Sequence, residues 1–285
     1  MDAPVIEIAA HAGVCYGVER ALTMALDAAA SAADGHAVST LGPLIHNPLV
    51  VHELAERGVV AAPTAQEAAP GTLVIRAHGV TPAAIEDARE RGLAVLDATC
   101  PYVKKVHAAA ERLVREGFQL LVIGESGHPE VEGILGHAAG AARVIASAAD
   151  LDGIELARRV GVVVQTTQTA AVLSEVVAAL APRVGELRVV NTICAATQER
   201  QDSAAELAAR ADVMLVVGGR NSGNTRRLAE ICRVRCAAAH HIEDAAEIDP
   251  SWFAGARLVG ITAGASTPAA HIERARRAVA ALAEA

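Results

Sequence analysis

Cys15, Cys100 and Cys194 are spaced by roughly a third of the chain each, and all three fall where an apolar, strand-like run gives way to a helical pattern. In DATCPYVKKVH, residues 97–107, Cys100 follows the short run LAVLDA and precedes PYVKKVHAAAERLVREG, an amphipathic pattern that stops at Gly117. Pro101 sits at the expected first helical position, which makes Cys100 the expected N-cap. Free N–H groups and the positive end of the helix dipole favour a thiolate or an anionic cluster there. VIEIAAHAGVCYGVERALTMAL and ELRVVNTICAATQERQDSAAELAAR give Cys15 and Cys194 the same setting. Three thiolates from separated segments suit either a zinc site or an iron–sulfur cluster with one iron lacking a protein thiolate, and spacing alone does not separate the two. Cys232 and Cys236 lack the third cysteine of a compact cluster loop and read as small core hydrophobes.

Three histidines stand apart from the rest. His46 in GPLIHNPLV, His78 after TLVIRA and His128 in ESGHPEVEG each follow a strand and lie beside Gly, Pro or Asn in a non-helical turn. Such turns at strand carboxyl ends are where side chains converge in α/β folds, and these three would offer donors to an anion without Lys or Arg. Glu130, two residues past His128, would have its pKa raised in a closed pocket near an anionic substrate and become a proton donor. The small-residue turns around 218–224 and 262–266 feed helix N-termini and expose N–H groups to anions. Thr166 and Thr167 in QTTQT are hydroxyls of the kind that cap helices and also bind ligands. His11, His36, His52, His107, His137, His240, His241 and His271 read as ordinary surface or core residues.

The elements that must position these residues alternate, strand-like run and helix, along the whole chain, which implies βα units and parallel sheets. With 285 residues there is room for two or three small domains or one large one. Because 52% of residues are hydrophobic but only 2% aromatic, the core must be built from Ala, Val, Leu and Ile. A formal net charge of −8 argues against a nucleic-acid groove. No apolar run is long enough for a membrane span, and the start MDAPVIEI is acidic where a signal peptide is basic, so a cytoplasmic location is expected. Five cysteines in such a chain point to metal binding or catalysis rather than to a disulfide framework.

Taken in series, GVCYGVERA, LGPLIHNP, RAHGV, DATCPYVKKVH, GHPEVEG, QTT, the NSGN turn and TAGAS resemble the signature segments of the 4-hydroxy-3-methylbut-2-enyl diphosphate reductase family, in order and along nearly the whole chain. The resemblance implies three similar α/β domains with mostly parallel sheets, a pseudo-threefold trefoil around a central 4Fe-4S cluster. The expected limits are 1–99, 100–192 and 193–285. Cys15, Cys100 and Cys194 match the family's cluster ligands. His46, His78, His128, Ser222, Gly223, Asn224 and Ser266 match the positions that hold the diphosphate, Thr166 and Thr167 the pair near the substrate alcohol, and Glu130 the proton donor. Family members commonly have two serines where this chain has Ser222-Gly223, which removes one hydroxyl but leaves the backbone N–H. The implied activity is reductive dehydroxylation of an allylic diphosphate to isopentenyl and dimethylallyl diphosphate. Electrons would come from a donor such as ferredoxin or flavodoxin, and the chain is expected to be a monomer or weak dimer. The competing expectation is a zinc-stapled α/β phosphate-binding protein without redox activity.

Overall fold

The computed structural model describes residues 4–33 and 35–283. Its strands are β1 (Val5–Ile8), β2 (Ala37–Leu41), β3 (Val59–Ala62), β4 (Gly71–Ile75), β5 (Ala94–Asp97), β6 (Gln119–Ile123), β7 (Ala142–Ile145), β8 (Arg159–Val164), β9 (Glu186–Val189), β10 (Val213–Val217), β11 (Ala239–Ile242) and β12 (Leu258–Ala263). The α-helices are α1 (Tyr16–Ala30), α2 (Pro48–Glu56), α3 (Pro82–Glu90), α4 (Pro101–Arg115), α5 (Pro129–His137), α6 (Ala170–Leu180), α7 (Ala195–Ala208), α8 (Gly223–Arg235) and α9 (Ala269–Ala283).

The strands form three four-stranded sheets, ordered β3-β2-β4-β5, β7-β6-β8-β9 and β11-β10-β12-β1, and each strand pairing in them is parallel. This is the expected βα architecture of three parallel-sheet α/β parts. The wiring is identical in all three once β1 is taken as the fourth strand of the last sheet. Val5 lies opposite Leu258 and Ile8 opposite Ile261. The strand preceding Cys15 thus belongs with β10–β12 and not with the strands of its own third of the chain. By compactness, the described residues of Met1–Val18, His46–Val50 and Ala195–Ala285 form one unit, and those of Glu19–Ile45 and Val51–Cys194 the other.

Helices cover both faces of the inner strands, so these strands are largely apolar on both faces rather than alternating with exposed polar residues, and the few polar side chains in their middles, Ser39, Thr40 and Thr262, are buried. In β6, Leu120 and Val122 pack with Val106 and Leu113 of α4 and Ile134 of α5, whereas Leu121 and Ile123 pack with Leu173, Val176 and Leu180 of α6. In β10, Met214 and Val216 meet Leu207 and Leu228 on one face; Val213, Leu215 and Val217 meet Ala275 and Val279 of α9 on the other. Each fully buried Leu or Ile contributes about 1.5–3 kcal/mol, and truncating Leu121 to Ala would cost about 2–5 kcal/mol. A glycine follows the first strand of each sheet. The N–H groups of Gly42, Gly124 and Gly218 donate to the last carbonyl of the neighbouring strand, at Ala62 (2.7 Å), Ile145 (2.9 Å) and Ile242 (2.9 Å). Gly42 (φ +68°) and Gly218 (φ +142°) hold left-handed backbone that favours glycine, and this turns the chain out of the sheet towards the site residues. No helix among the described residues is long and apolar enough to cross a membrane.

Candidate functional site

The three cysteines occupy one topological position. Each directly precedes the helix that follows the fourth strand of a sheet: Cys15 before α1, Cys100 before α4, Cys194 before α7. The same hydrogen bond fixes each of them. The N–H of Cys15 donates to Ala265 (3.2 Å), that of Cys100 to Ala77 (3.0 Å) and that of Cys194 to Thr166 (3.1 Å), in every case the carbonyl two residues beyond the third strand. All three are partly exposed, and no disulfide joins the cysteines of the described residues. Cys100 is the N-cap of α4 with Pro101 next, as its sequence predicts, and its sulfur makes no capping bond. Among the described residues, no three His, Cys, Asp or Glu side chains are gathered as for a single metal ion. Cys232 and Cys236 are buried, and burial pushes the Cys232 thiol up to about 12, so both remain neutral core thiols.

The remaining site residues repeat in the same way. His46, His128 and Ser222 lie five residues past the ends of the first strands β2, β6 and β10. His78, Thr167 and Ser266 lie three residues past the ends of the third strands β4, β8 and β12. These are carboxyl-end loops of parallel strands, the usual ligand-bearing edge of an α/β sheet.

In the unit containing β2–β9, Glu130 is buried, 2% exposed, in the first turn of α5. Its carboxylate accepts hydrogen bonds from the Thr166 N–H (2.6 Å) and the Thr166 hydroxyl (2.8 Å). Burial nevertheless outweighs both bonds and pushes its pKa up to about 7, so a substantial fraction is protonated at neutral pH. Thr166 uses its other face to take the Cys194 N–H, which links the acid to a cysteine through one residue. His128 caps α5: its Nδ1 accepts the Glu130 N–H (3.1 Å), which leaves Nε2 as the proton-bearing nitrogen of the neutral ring. The His78 ring lies edge-on to His128, centroids 5.8 Å apart. Sequence reasoning passed over Gln165. It is buried, its Oε1 accepts from the Glu125 N–H (2.9 Å), and its Nε2 donates to the Thr167 hydroxyl (3.2 Å), which orients that hydroxyl. His107 is held neutral, its pKa pushed down to about 3 chiefly by burial, and it packs under the turn after His78, where a side chain at Gly79 would meet its Cε1 at 2.7 Å.

In the other unit, Ser222 caps α8 by accepting the Thr225 N–H (3.3 Å). Asn224, 4% exposed, has neither its amide nitrogen nor its oxygen hydrogen-bonded. The Ser266 hydroxyl donates to the His46 carbonyl (3.2 Å). Asn47 is a second residue that sequence reasoning missed. Its Nδ2 donates to the Ser266 carbonyl (2.9 Å), and its Oδ1 accepts the Leu49 (3.2 Å) and Val50 (3.4 Å) N–H groups, which caps α2. Asn directly before a Pro at a helix start was the signal available for it. His241 donates from Nε2 to the Gly218 carbonyl (2.8 Å) and steadies the turn that carries Ser222.

The family model described as LytB protein matches residues 6–280. The chain belongs to the LytB family. Among curated LytB relatives, the 4-hydroxy-3-methylbut-2-enyl diphosphate reductases of Geobacter sp. (strain M21) and Geobacter sulfurreducens are each 47% identical, over 92% of both chains. A solved structure of (E)-4-hydroxy-3-methyl-but-2-enyl diphosphate reductase, the terminal enzyme of the non-mevalonate pathway, is 43% identical. It covers 98% of this chain and 99% of its own, with a TM-score of 0.71. A solved E-1-hydroxy-2-methyl-but-2-enyl-4-diphosphate reductase from Plasmodium falciparum, 24% identical, has the same fold, with a TM-score of 0.90 over 96% of this chain and 87% of its own.

Proposed function

We propose that the chain is an iron–sulfur oxidoreductase that reduces (E)-4-hydroxy-3-methylbut-2-enyl diphosphate to isopentenyl and dimethylallyl diphosphate, the activity for which its LytB relatives are named. One observation carries the reading: three sheets of one wiring each bring a cysteine and two polar loop residues to matching positions. Three partly exposed thiols at helix N-termini, with matching backbone anchors, are a donor set that fits a 4Fe-4S cluster held by Cys15, Cys100 and Cys194. Bound there, the cluster would supply electrons one at a time and a Lewis-acidic iron for the substrate oxygen.

The net change breaks one allylic C–O bond and takes up two electrons and two protons; the oxygen leaves as water and the allyl system gains a C–H bond. Glu130 gives the first proton, to the departing oxygen, because its burial keeps the carboxyl protonated up to about pH 7. Thr166 orients that carboxyl, and Thr166 and Thr167 stand by the substrate alcohol. The diphosphate itself is suited to pass the second proton to the allyl carbon. Neutral donors hold the diphosphate: His46, His78, the Nε2–H of His128, the hydroxyls of Ser222 and Ser266, the Gly223 N–H at the start of α8, and the Asn224 amide. Burying that amide with neither end bonded is costly, and a bound anion that accepts from its Nδ2 would offset the donor's share of the cost. A one-electron donor such as ferredoxin or flavodoxin supplies the electrons. Protein purified without oxygen, given a chemical reductant and the hydroxylated diphosphate, is expected to release both products; protein that carries the cluster yet forms neither product would refute the assignment.

A further inference from the structure

Helix α4 runs outward from Cys100 and carries Lys104 and Lys105, the only lysines of the chain, together with Arg112 and Arg115. The acids of this segment are engaged elsewhere. Glu111 pairs with His137 of α5, and Glu116, which closes the helix, pairs with Arg188 of β9. Lys104 is neutralised by Asp97 at 2.6 Å. Lys105, Arg112 and Arg115 are exposed and make no ion pair among the described residues. At 3.6 residues per turn the three fall within about 80° of the helix circumference, along a stripe of about 15 Å. Tyr102, 39% exposed, lies at its Cys100 end, and the Lys105 Nζ stands 5.1 Å from its ring centroid. A chain of net charge −8 thus presents a cationic stripe, its three side chains outside any ion pair among the described residues, that starts about one turn from a proposed cluster ligand.

We infer that this stripe is the docking face for the small, acidic one-electron carrier protein that serves as electron donor. The inference rests on the reductase reading, in which electrons must reach the group held by Cys100. Redox encounters of this kind use small, wet interfaces, where complementary charge sets the encounter rate rather than the depth of binding. Lysine at the inner end suits such an encounter. Its compact, strongly hydrated charge pairs loosely, whereas the guanidinium fork favours fixed bidentate contacts. The exposed tyrosine adds a flat apolar contact beside the charge.

The test compares two electron sources on cluster-loaded protein. The Lys105→Glu/Arg112→Glu/Arg115→Glu variant and the parent are assayed with a reduced acidic ferredoxin or flavodoxin, and separately with a small viologen reductant. The expected result is a fall of about tenfold or more in kcat/KM for the carrier protein at low salt, a weaker salt dependence than the parent's, and viologen-driven turnover within twofold of the parent. Reversing Arg233 and Arg235 at the far end of α8 should leave both rates unchanged. An unchanged carrier-driven rate, or equal losses with both reductants, would overturn the docking face while leaving the reductase reading intact. A parent that turns over with neither reductant would instead overturn the reductase reading.

Discussion

The loops after β6 and β10 start from the same strand position, each with a glycine whose N–H donates to the last carbonyl of the neighbouring strand, yet they end in different chemistry. After β6 the capping residue is His128 and the second helical residue is Glu130, whose carboxyl is gripped by Thr166 and pushed up to about 7 by burial. After β10 the capping residue is Ser222 and the second helical residue is Asn224, whose amide has no partner at either end. The first loop stores a proton. The second stores unspent hydrogen-bonding capacity. One scaffold serves both purposes: in one loop the second helical position holds the protein's own buried carboxyl, and in the other, at a helix N-terminus that favours anions, the place is left for a ligand.

The largest effect should come from removing the proton. Glu130→Gln is expected to lower turnover by about 10²–10⁴-fold with substrate affinity retained, and parent turnover should decline as pH rises through about 7. If turnover stays within a few-fold of the parent, the β6 loop has no proton-donor role. The same residue makes stability depend on pH. Its folded pKa lies above its unfolded value of 4.5, so the stability it contributes is complete below about 4.5 and is lost as pH rises through about 7. This amounts to about 3 kcal/mol for the ligand-free protein. Denaturant unfolding between pH 4 and pH 8 should show that fall in the parent and not in Glu130→Gln. In the β10 loop the trade runs the other way. Asn224→Leu should raise KM about tenfold with a much smaller effect on kcat, while unfolding free energy holds or rises by about 1 kcal/mol because an unsatisfied buried amide is gone. Smallest is Asn47→Ala, which should cost about 1 kcal/mol from the lost cap and raise KM by loosening His46 and Ser266, measurable by thermal unfolding beside kinetics.

Much of the fold was legible because the inner strands are long apolar runs and the helix starts carry Pro, Ser or Thr. VIEIAA, TLVIRA, FQLLVIG and DVMLVVG announce themselves, and so does the switch at Cys100-Pro101. Two of the edge strands were not. β3 and β11 are four residues each, made of Val-Val-Ala-Ala and Ala-His-His-Ile, too short for a period and poor in turn signals. Nothing local in VIEI tells which sheet will take it, since pairing with β12 is a contact between the two ends of the chain. For the candidate site, Glu130 could be picked out by its place in GHPEVEG, but its pKa follows from burial and from Thr166, thirty-six residues away. The open valences of Asn224 are likewise a property of packing, visible only when its neighbours are in place.

Iron, zinc and acid-labile sulfide per chain, measured with an absorption spectrum on protein purified without oxygen, test the assignment of Cys15, Cys100 and Cys194 most directly. About four iron and four sulfide with a broad visible band, all lost in Cys100→Ser, is the result expected of a cluster held by these three thiolates. One zinc per chain and no sulfide would contradict it and return the cysteines to a structural role.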